Sequence, residues 1–267
     1  EKDIAILLIH GFGASTDHWR FNIPVLSSEF EVHAIDLLGF GKSPKPNDVQ
    51  YSGSLWKDQV IAYVKERIKK PTIVVGNSLG GYAALAAGAE LKELSAGVIL
   101  LNAAGYFSEE KLVKKNMLQT SIETVAGIFL KNIVLQRLIF ENMRKPSTIK
   151  KTLNQVYINK KNVDDYLVNS IRKPSLDIGA FNVFRSVFNP SGPQGEPLDE
   201  LFSKLSSPLL LLWGSKDPWM NTPKKRGLYE RYTPENTTEV ILDAGHCPHD
   251  EVPELVNQKI LEWIKTL

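Results

Sequence analysis

The chain has 267 residues, 43% hydrophobic and 23% charged, with a formal net charge of +2. That length and apolar content suit one large α/β domain or a core with an inserted piece, and the near-balanced charge argues against a nucleic-acid or other polyanionic partner. The single cysteine, Cys247, excludes an internal disulfide. No apolar run reaches the ~18 residues of a membrane span, and nothing at the start reads as a signal peptide.

Cytoplasm is therefore the default expectation, with a plastid address only if an N-terminal segment has been removed. The oligomeric state is open.

In chain order, short apolar runs end in turn residues: Ile4 to His10, Glu31 to Asp36, Thr72 to Asn77, Ala96 to Asn102, Pro208 to Trp213 and Thr238 to Asp243. Most are continuously apolar rather than alternating, as expected of strands covered on both faces. Helical patterns separate them, and the charged run KERIKK (65–70) reads as a solvated helix end. The alternation predicts a doubly wound, mostly parallel α/β sheet.

The rhythm breaks after Phe107, and the next strong strand begins only at Pro208. A structureless loop of that length is implausible. Ile122, Val125, Ile128 and Phe129, then Ile133, Leu135, Leu138 and Ile139, give an apolar face at helical spacing. Ile178, Phe181, Val183, Phe184 and Phe188 form a second apolar patch. Pro190, Gly192, Pro193, Gly195 and Pro197 make a breaker-rich exit. These features predict an inserted helical cap at 105–197 within a core made of 1–104 and 198–267. The apolar residues either line a pocket for an apolar substrate moiety or simply pack the cap onto the core.

Gly76-Asn77-Ser78-Leu79-Gly80 stands between an apolar run and an alanine-rich one. It fits G-x-S-x-G at a strand-to-helix bend, where the hydroxyl is held clear of the backbone above a helix N-terminus. The bland alternative is a glycine-rich helix cap. A serine hydroxyl needs a base, itself oriented by an acid. Of the five histidines, His33 sits inside a strand and His10 ends one, where a loop-shaping role is expected. His246 follows the last strand, on a loop that opens onto the ligand crevice, and is the candidate base. His249 is expected in the first turn of the final helix. Asp217, four residues past Trp213, is the candidate acid; Asn102, at the alternative acid position, cannot serve. The turn after the first strand, HGFGAS (10–15), offers the Phe12 N–H as an oxyanion donor, with the Leu79 N–H as the second.

Neighbouring chemistries fit poorly. DLLGFGKS (36–43) has Asp36 where a phosphate loop needs glycine, and GFGAST lacks the third glycine of a dinucleotide fingerprint. His246, Cys247, His249 and Asp250 crowd together, but prolines and helix geometry make them an awkward metal set. Cys247 reads as a buried small residue. No cofactor or metal is expected.

Taken together, LLIHGFGAS, DLLGFGKS, GNSLGGYAAL, LLWGSKDPW and AGHCPHDEVPE resemble an α/β-hydrolase fold enzyme over nearly the whole chain. The resemblance implies Ser78 as nucleophile, His246 as base, Asp217 as acid and Phe12 with Leu79 as oxyanion hole. Haloalkane dehalogenases and epoxide hydrolases carry aspartate at the position of Ser78. GNSLGGY and GHCPHDEVPE look most like pheophytinase-type proteins of plants and cyanobacteria, which implies hydrolysis of a phytyl ester of a chlorophyll-type pigment. GNS-x-GG is also similar to C–C bond hydrolases of aromatic ring cleavage. The fold also hosts small-molecule receptors that barely turn over. Members usually carry two strands ahead of the HGFG strand, which here starts near residue 1. A trimmed N-terminus or a sheet of about six strands is therefore expected.

Overall fold

The computed structural model describes residues 3–112, 132–188, 195–220 and 223–267. Six parallel strands form one sheet: β1 (Ala5–Ile9), β2 (Glu31–Ile35), β3 (Thr72–Asn77), β4 (Ser95–Leu101), β5 (Leu209–Gly214) and β6 (Thr237–Leu242). Their order across the sheet is β2-β1-β3-β4-β5-β6. The chain steps from β1 to one side, then returns to the other side of β1 with β3. Strand direction of winding therefore reverses between β1 and β3, and the crevice at their carboxyl ends is where ligands bind in open α/β sheets.

The continuous apolar runs are explained by two cores, one on each face. Alternate residues of a strand point to opposite faces. Leu7, Ile9, Val74, Leu100 and Leu211 pack with Trp56, Val60 and the helix Leu79–Leu91. Ile6, Leu8, Ile73, Val75, Leu101 and Leu212 pack with Val256, Ile260 and Trp263 of the helix Pro253–Ile264. The four central strands are almost wholly buried, whereas β2 and β6 are half-exposed edges. Charge covers the β2 edge, with Lys70 joined to both Asp3 and Glu31. In the KERIKK run Lys65, Glu66 and Arg67 are exposed and Ile68 is buried, as expected of a solvated helix end.

Between β4 and β5 the described residues are helical at Ser108–Leu112, Ile133–Met143, Pro146–Val156, Asp165–Arg172, Ala180–Val187 and Leu198–Lys204. The expected apolar face at Ile122, Val125, Ile128 and Phe129 lies outside the described residues, as do Pro190, Gly192 and Pro193. Within Ile133–Met143 the buried positions are Gln136 and Phe140, while Ile133 and Leu138 are exposed. Leu135 and Ile139 are half-buried, Ile139 against the Phe140–Phe184 cluster, so the expected face is met only in part. Phe140 is drawn inward by ring contacts with Phe181 and Phe184, and Gln136 by its bond to Arg185. In the second patch Val183 and Phe184 are buried but Ile178 is 95% exposed. His249 lies in a separate single turn, Pro248–Glu251, because Val252 (φ −132°) breaks the chain before the final helix begins.

Candidate active site

The glycines around Ser78 are required by distance. A Cβ on Gly76 would lie 2.1 Å from the carbonyl oxygen of Gly80, and one on Gly80 would lie 2.4 Å from the carbonyl oxygens of Ile9 and His10. Strand, bend and helix therefore meet backbone to backbone. Ser78 itself has φ 53° and ψ −117°, a conformation that costs a non-glycine residue on the order of 1–3 kcal/mol and that persists only where the surroundings enforce it. The enforcement is visible: the Ser78 N–H donates to Leu101 O (3.0 Å), and its carbonyl accepts from Ala104 N (2.9 Å) and Tyr82 N (3.2 Å). The side chain is left outside this lattice, and the Ser78 hydroxyl makes no hydrogen bond among the described residues.

The turn after β1 is pressed against this bend. A Cβ on Gly11 would come within 3.3 Å of the Ser78 Cβ. His10 shapes the turn, as expected: its Nδ1–H donates to Gly11 O (2.7 Å) and its Nε2 accepts from Leu37 N (3.0 Å). That pair of bonds requires the neutral ring. Burial pushes the His10 imidazole below its ordinary value, against the opposing pull of the Gly11 carbonyl and of Asp36. Asp36, at the rejected phosphate-loop position, instead ties two loops together, accepting from Thr16 N and Lys42 N at 2.7 Å each. The N–H groups of Phe12 and Leu79 have no hydrogen-bond partner among the described residues. Phe12 is 38% exposed and stands edge-on to Phe40 and Phe188.

His246 and Asp217 come together from the loops after β6 and β5. His246 Nδ1 lies 2.7 Å from Asp217 Oδ2, and both side chains are almost fully buried. Asp217 Oδ1 accepts from Trp219 N (2.7 Å) and Met220 N (3.2 Å), so the carboxylate is fixed by its own turn. This leaves Nε2 as the nitrogen of His246 available to another partner. The Trp219 ring, 49% exposed, stands edge-on to the imidazole at 4.8 Å.

Two asparagines, to which the sequence assigned no function, link His246 to the bend. Asn77, the residue before Ser78, donates through Nδ2 to His246 O at 3.0 Å. Asn102 donates to the same oxygen at 3.1 Å and to Gly245 O at 2.9 Å, while its Oδ1 accepts from Gly214 N at 3.0 Å. The position that could have held an acid thus holds an amide joining three loops. Only the GNS motif and the strand-end location of Asn102 hinted at this, since the partners are set by tertiary structure.

His18, His249 and Cys247 sit behind the site, whereas His33 lies on the edge strand β2 against Glu31 and Tyr63. His18 Nε2 lies 2.7 Å from the Tyr157 hydroxyl, which donates to Asp250 Oδ2 at 3.0 Å. Burial pushes His18 down to about 3, with further lowering from His10, Arg20 and His246. Burial, then His18 and His246, lowers His249 well below its ordinary range. Burial, reinforced by Asp250, pushes the Cys247 thiol up, which leaves it a poor nucleophile. Among the described residues no cluster of His, Cys, Asp or Glu is arranged to hold a metal ion.

A cavity of about 120 Å³ lies between the core loops and the helices that follow β4. Phe12, Phe40, Phe140, Ile149, Val183 and Phe184 are among its walls. Ser78 and His246 do not line it; Phe12 is the wall it shares with the bend. The two cations at its rim are occupied, Lys45 by Asp177 and Arg144 by Glu141 and the Ser175 carbonyl. No described helix is long and apolar enough to cross a membrane.

Comparison with known proteins agrees with this architecture. Pheophytinase from the chloroplast of Arabidopsis thaliana is 30% identical over 98% of this chain, which spans 61% of that protein's length. The 2-hydroxy-6-oxo-6-(2'-aminophenyl)hexa-2,4-dienoic acid hydrolase of Metapseudomonas resinovorans is 36% identical over 40% of this chain and 38% of its own. Among solved structures, a bacterial membrane phospholipase A superposes with a TM-score of 0.76 at 26% identity, covering 99% of this chain and 80% of that one. A profile of the alpha/beta hydrolase fold matches residues 4–253. With its six-stranded parallel sheet, its glycine-flanked Ser78 and this match over nearly its full length, the chain belongs to the alpha/beta hydrolase fold family.

Proposed function

We propose that the protein is a serine hydrolase that cleaves carboxylic esters with an apolar acyl or alcohol part. The observation that carries this reading is the pairing of His246 with Asp217 at 2.7 Å, on a loop whose carbonyl is held by the residue next to Ser78. In this reading Ser78 Oγ attacks the ester carbonyl while His246 Nε2 takes its proton. Asp217 holds the ring in the tautomer that frees Nε2 and stabilises the imidazolium. The oxyanion is received by the N–H groups of Phe12 and Leu79, at the start of the helix Leu79–Leu91. The alcohol leaves with the proton from His246, and water activated by the same ring releases the acid. Such a serine–histidine bond commonly tightens only when substrate binds.

Residues 105–197 act as a helical cap over this crevice. Its apolar cavity supports an apolar substrate moiety. At about 120 Å³ it is small beside ligand pockets of about 300–1,000 Å³. It fits a short acyl chain or the end of a longer one. A phytyl ester of a chlorophyll-type pigment is the candidate that similarity to pheophytinase favours. A second reading, hydrolysis of a C–C bond in a ring-cleavage product, is favoured by the segment shared with the dienoic acid hydrolase. A receptor without turnover is the third.

Parallel assays on nitrophenyl esters of increasing chain length, on pheophytin and on a ring-cleavage dienone separate these readings. Ester cleavage that prefers chains longer than acetate supports the proposal. Turnover confined to the dienone overturns it in favour of the second reading, and no turnover with tight binding favours the third.

A further inference from the structure

We propose that Glu251 is a positioning residue for the base: its carboxylate stitches residues 156–159 of the inserted helices to the turn that carries His246, so the seating of that segment sets where the imidazole points. The inference rests on the reading of His246 as general base.

Glu251 is buried, five residues beyond His246, and its two oxygens serve different parts of the chain. Oε2 accepts from Gly245 N at 2.8 Å. Oε1 accepts from Ile158 N at 3.0 Å and Asn159 N at 2.8 Å, just past the helix Pro146–Val156. The same two segments also touch directly. The His246 N–H donates to Val156 O at 2.8 Å. A Cβ on Gly245 would fall 1.9 Å from that carbonyl oxygen, so residue 245 must be glycine for the contact to exist.

The backbone of His246 is thereby gripped from two sides. Asn77 and Asn102 hold its carbonyl from the sheet, and Val156 holds its N–H from the insertion. On the sheet side both asparagines are buried at strand ends and bonded further to Leu101 O and Gly214 N. The insertion side depends on how residues 156–159 are held: Glu251 holds their backbone, at the Ile158 and Asn159 N–H groups, while His18 and Asp250 hold only the Tyr157 hydroxyl. The preceding carboxylate points elsewhere: Asp250 takes Arg20 Nε (3.0 Å) and the Tyr157 hydroxyl (3.0 Å), and Arg20 continues to Asp164 and Asn162 O. Asp250 anchors the insertion to the core, whereas Glu251 anchors it to the histidine turn.

An amide in place of the carboxylate keeps the size but turns one acceptor into a donor, which then faces a backbone N–H on one side or the other. The test is Glu251→Gln assayed on p-nitrophenyl butyrate, with kcat expressed per serine titrated by a fluorophosphonate, so that misfolded protein is not counted. The expected result is a fall in kcat of about 10- to 100-fold, the size expected when a catalytic group is displaced by up to about 1 Å, with KM within about threefold. A fall in kcat smaller than about threefold, or a loss carried mainly by KM, overturns the inference.

If Glu251→Gln does not fold, amide exchange of the wild-type protein decides. The amides of Gly245, Ile158 and Asn159 should open together. Opening constants that differ by more than about tenfold overturn the link. His246→Ala is the companion variant. If it is inactive while Glu251→Gln is normal, this inference alone fails; if it retains full turnover, the base assignment fails and takes this inference with it.

Discussion

Asn77 and His246, 169 residues apart in sequence, are joined by a hydrogen bond of 3.0 Å from an amide nitrogen to a backbone carbonyl. Because Ser78 follows Asn77, one bond fixes the spacing between the strained bend and the histidine loop. A small change at Asn77 should therefore act on catalysis through placement. Asn77→Ala leaves the carbonyl to Asn102 alone and is expected to lower kcat/KM by roughly 10-fold, the cost of about one hydrogen bond to a buried group. Ester kinetics check it; unchanged kinetics would show that Asn102 suffices.

Asp217→Asn should be far more damaging. The amide can present its N–H to Nδ1, which favours the tautomer with the proton on Nε2 and leaves no base for the serine. The loss in kcat should be on the order of 10⁴-fold, as for the buried aspartate of serine proteases, with the fold intact. Circular dichroism and single-turnover rates on one sample test both halves of this statement.

Trp219→Ala removes the ring that stands against the imidazole at 4.8 Å. Such aromatic contacts are worth about 0.5–1.5 kcal/mol, so kcat/KM should fall by roughly 2- to 10-fold. A rise in activity would mean that the ring obstructs the site rather than supporting the histidine.

Two glycine substitutions should have opposite signs. Gly80→Ala drives a methyl to 2.4 Å from backbone carbonyls that cannot yield, and a loss of about 3 kcal/mol or more is expected. Gly227, in the helix Pro223–Tyr232, has nothing within 4 Å of the added Cβ. There alanine should add about 0.5–1 kcal/mol by restricting the unfolded chain. Urea unfolding of both variants measures the contrast.

Stability should fall as pH drops below neutrality. His18 and His249 are held neutral by burial, their proton affinities lowered from the ordinary 6.5, to about 3 for His18. The unfolded chain then binds more protons than the folded one below pH 6.5, so stability is fully present above that value and is lost toward pH 3. Each such histidine contributes up to about 1.4 kcal/mol per pH unit. Urea midpoints between pH 7.5 and 5.5 should decline, and His249→Phe should flatten the slope. A slope unchanged in that variant would contradict the assignment.

The parts of this molecule that chain-local patterns describe were legible in advance. The buried strands were visible as continuous apolar runs, and the bend at Ser78 in its glycines. The order of Ser78, Asp217 and His246 matched a known arrangement. The inward side of the helix Ile133–Met143 was legible only in part, at Leu135 and Ile139, because it is completed by Phe140 meeting Phe181 and Phe184 from another helix, information that no single helical period contains. The partners of Asn77, Asn102, Trp219 and Glu251 were hidden for the same reason: each is distant in sequence or set by a turn geometry that only the folded chain reveals.

The central claim is that Ser78 is a nucleophile activated by His246. Labelling with a fluorophosphonate, followed by peptide mass spectrometry, tests it most directly. The account predicts one modified residue, Ser78, with labelling abolished in Ser78→Ala and slowed by orders of magnitude in His246→Ala. Modification at another residue, or labelling of the His246→Ala protein at the wild-type rate, would contradict it.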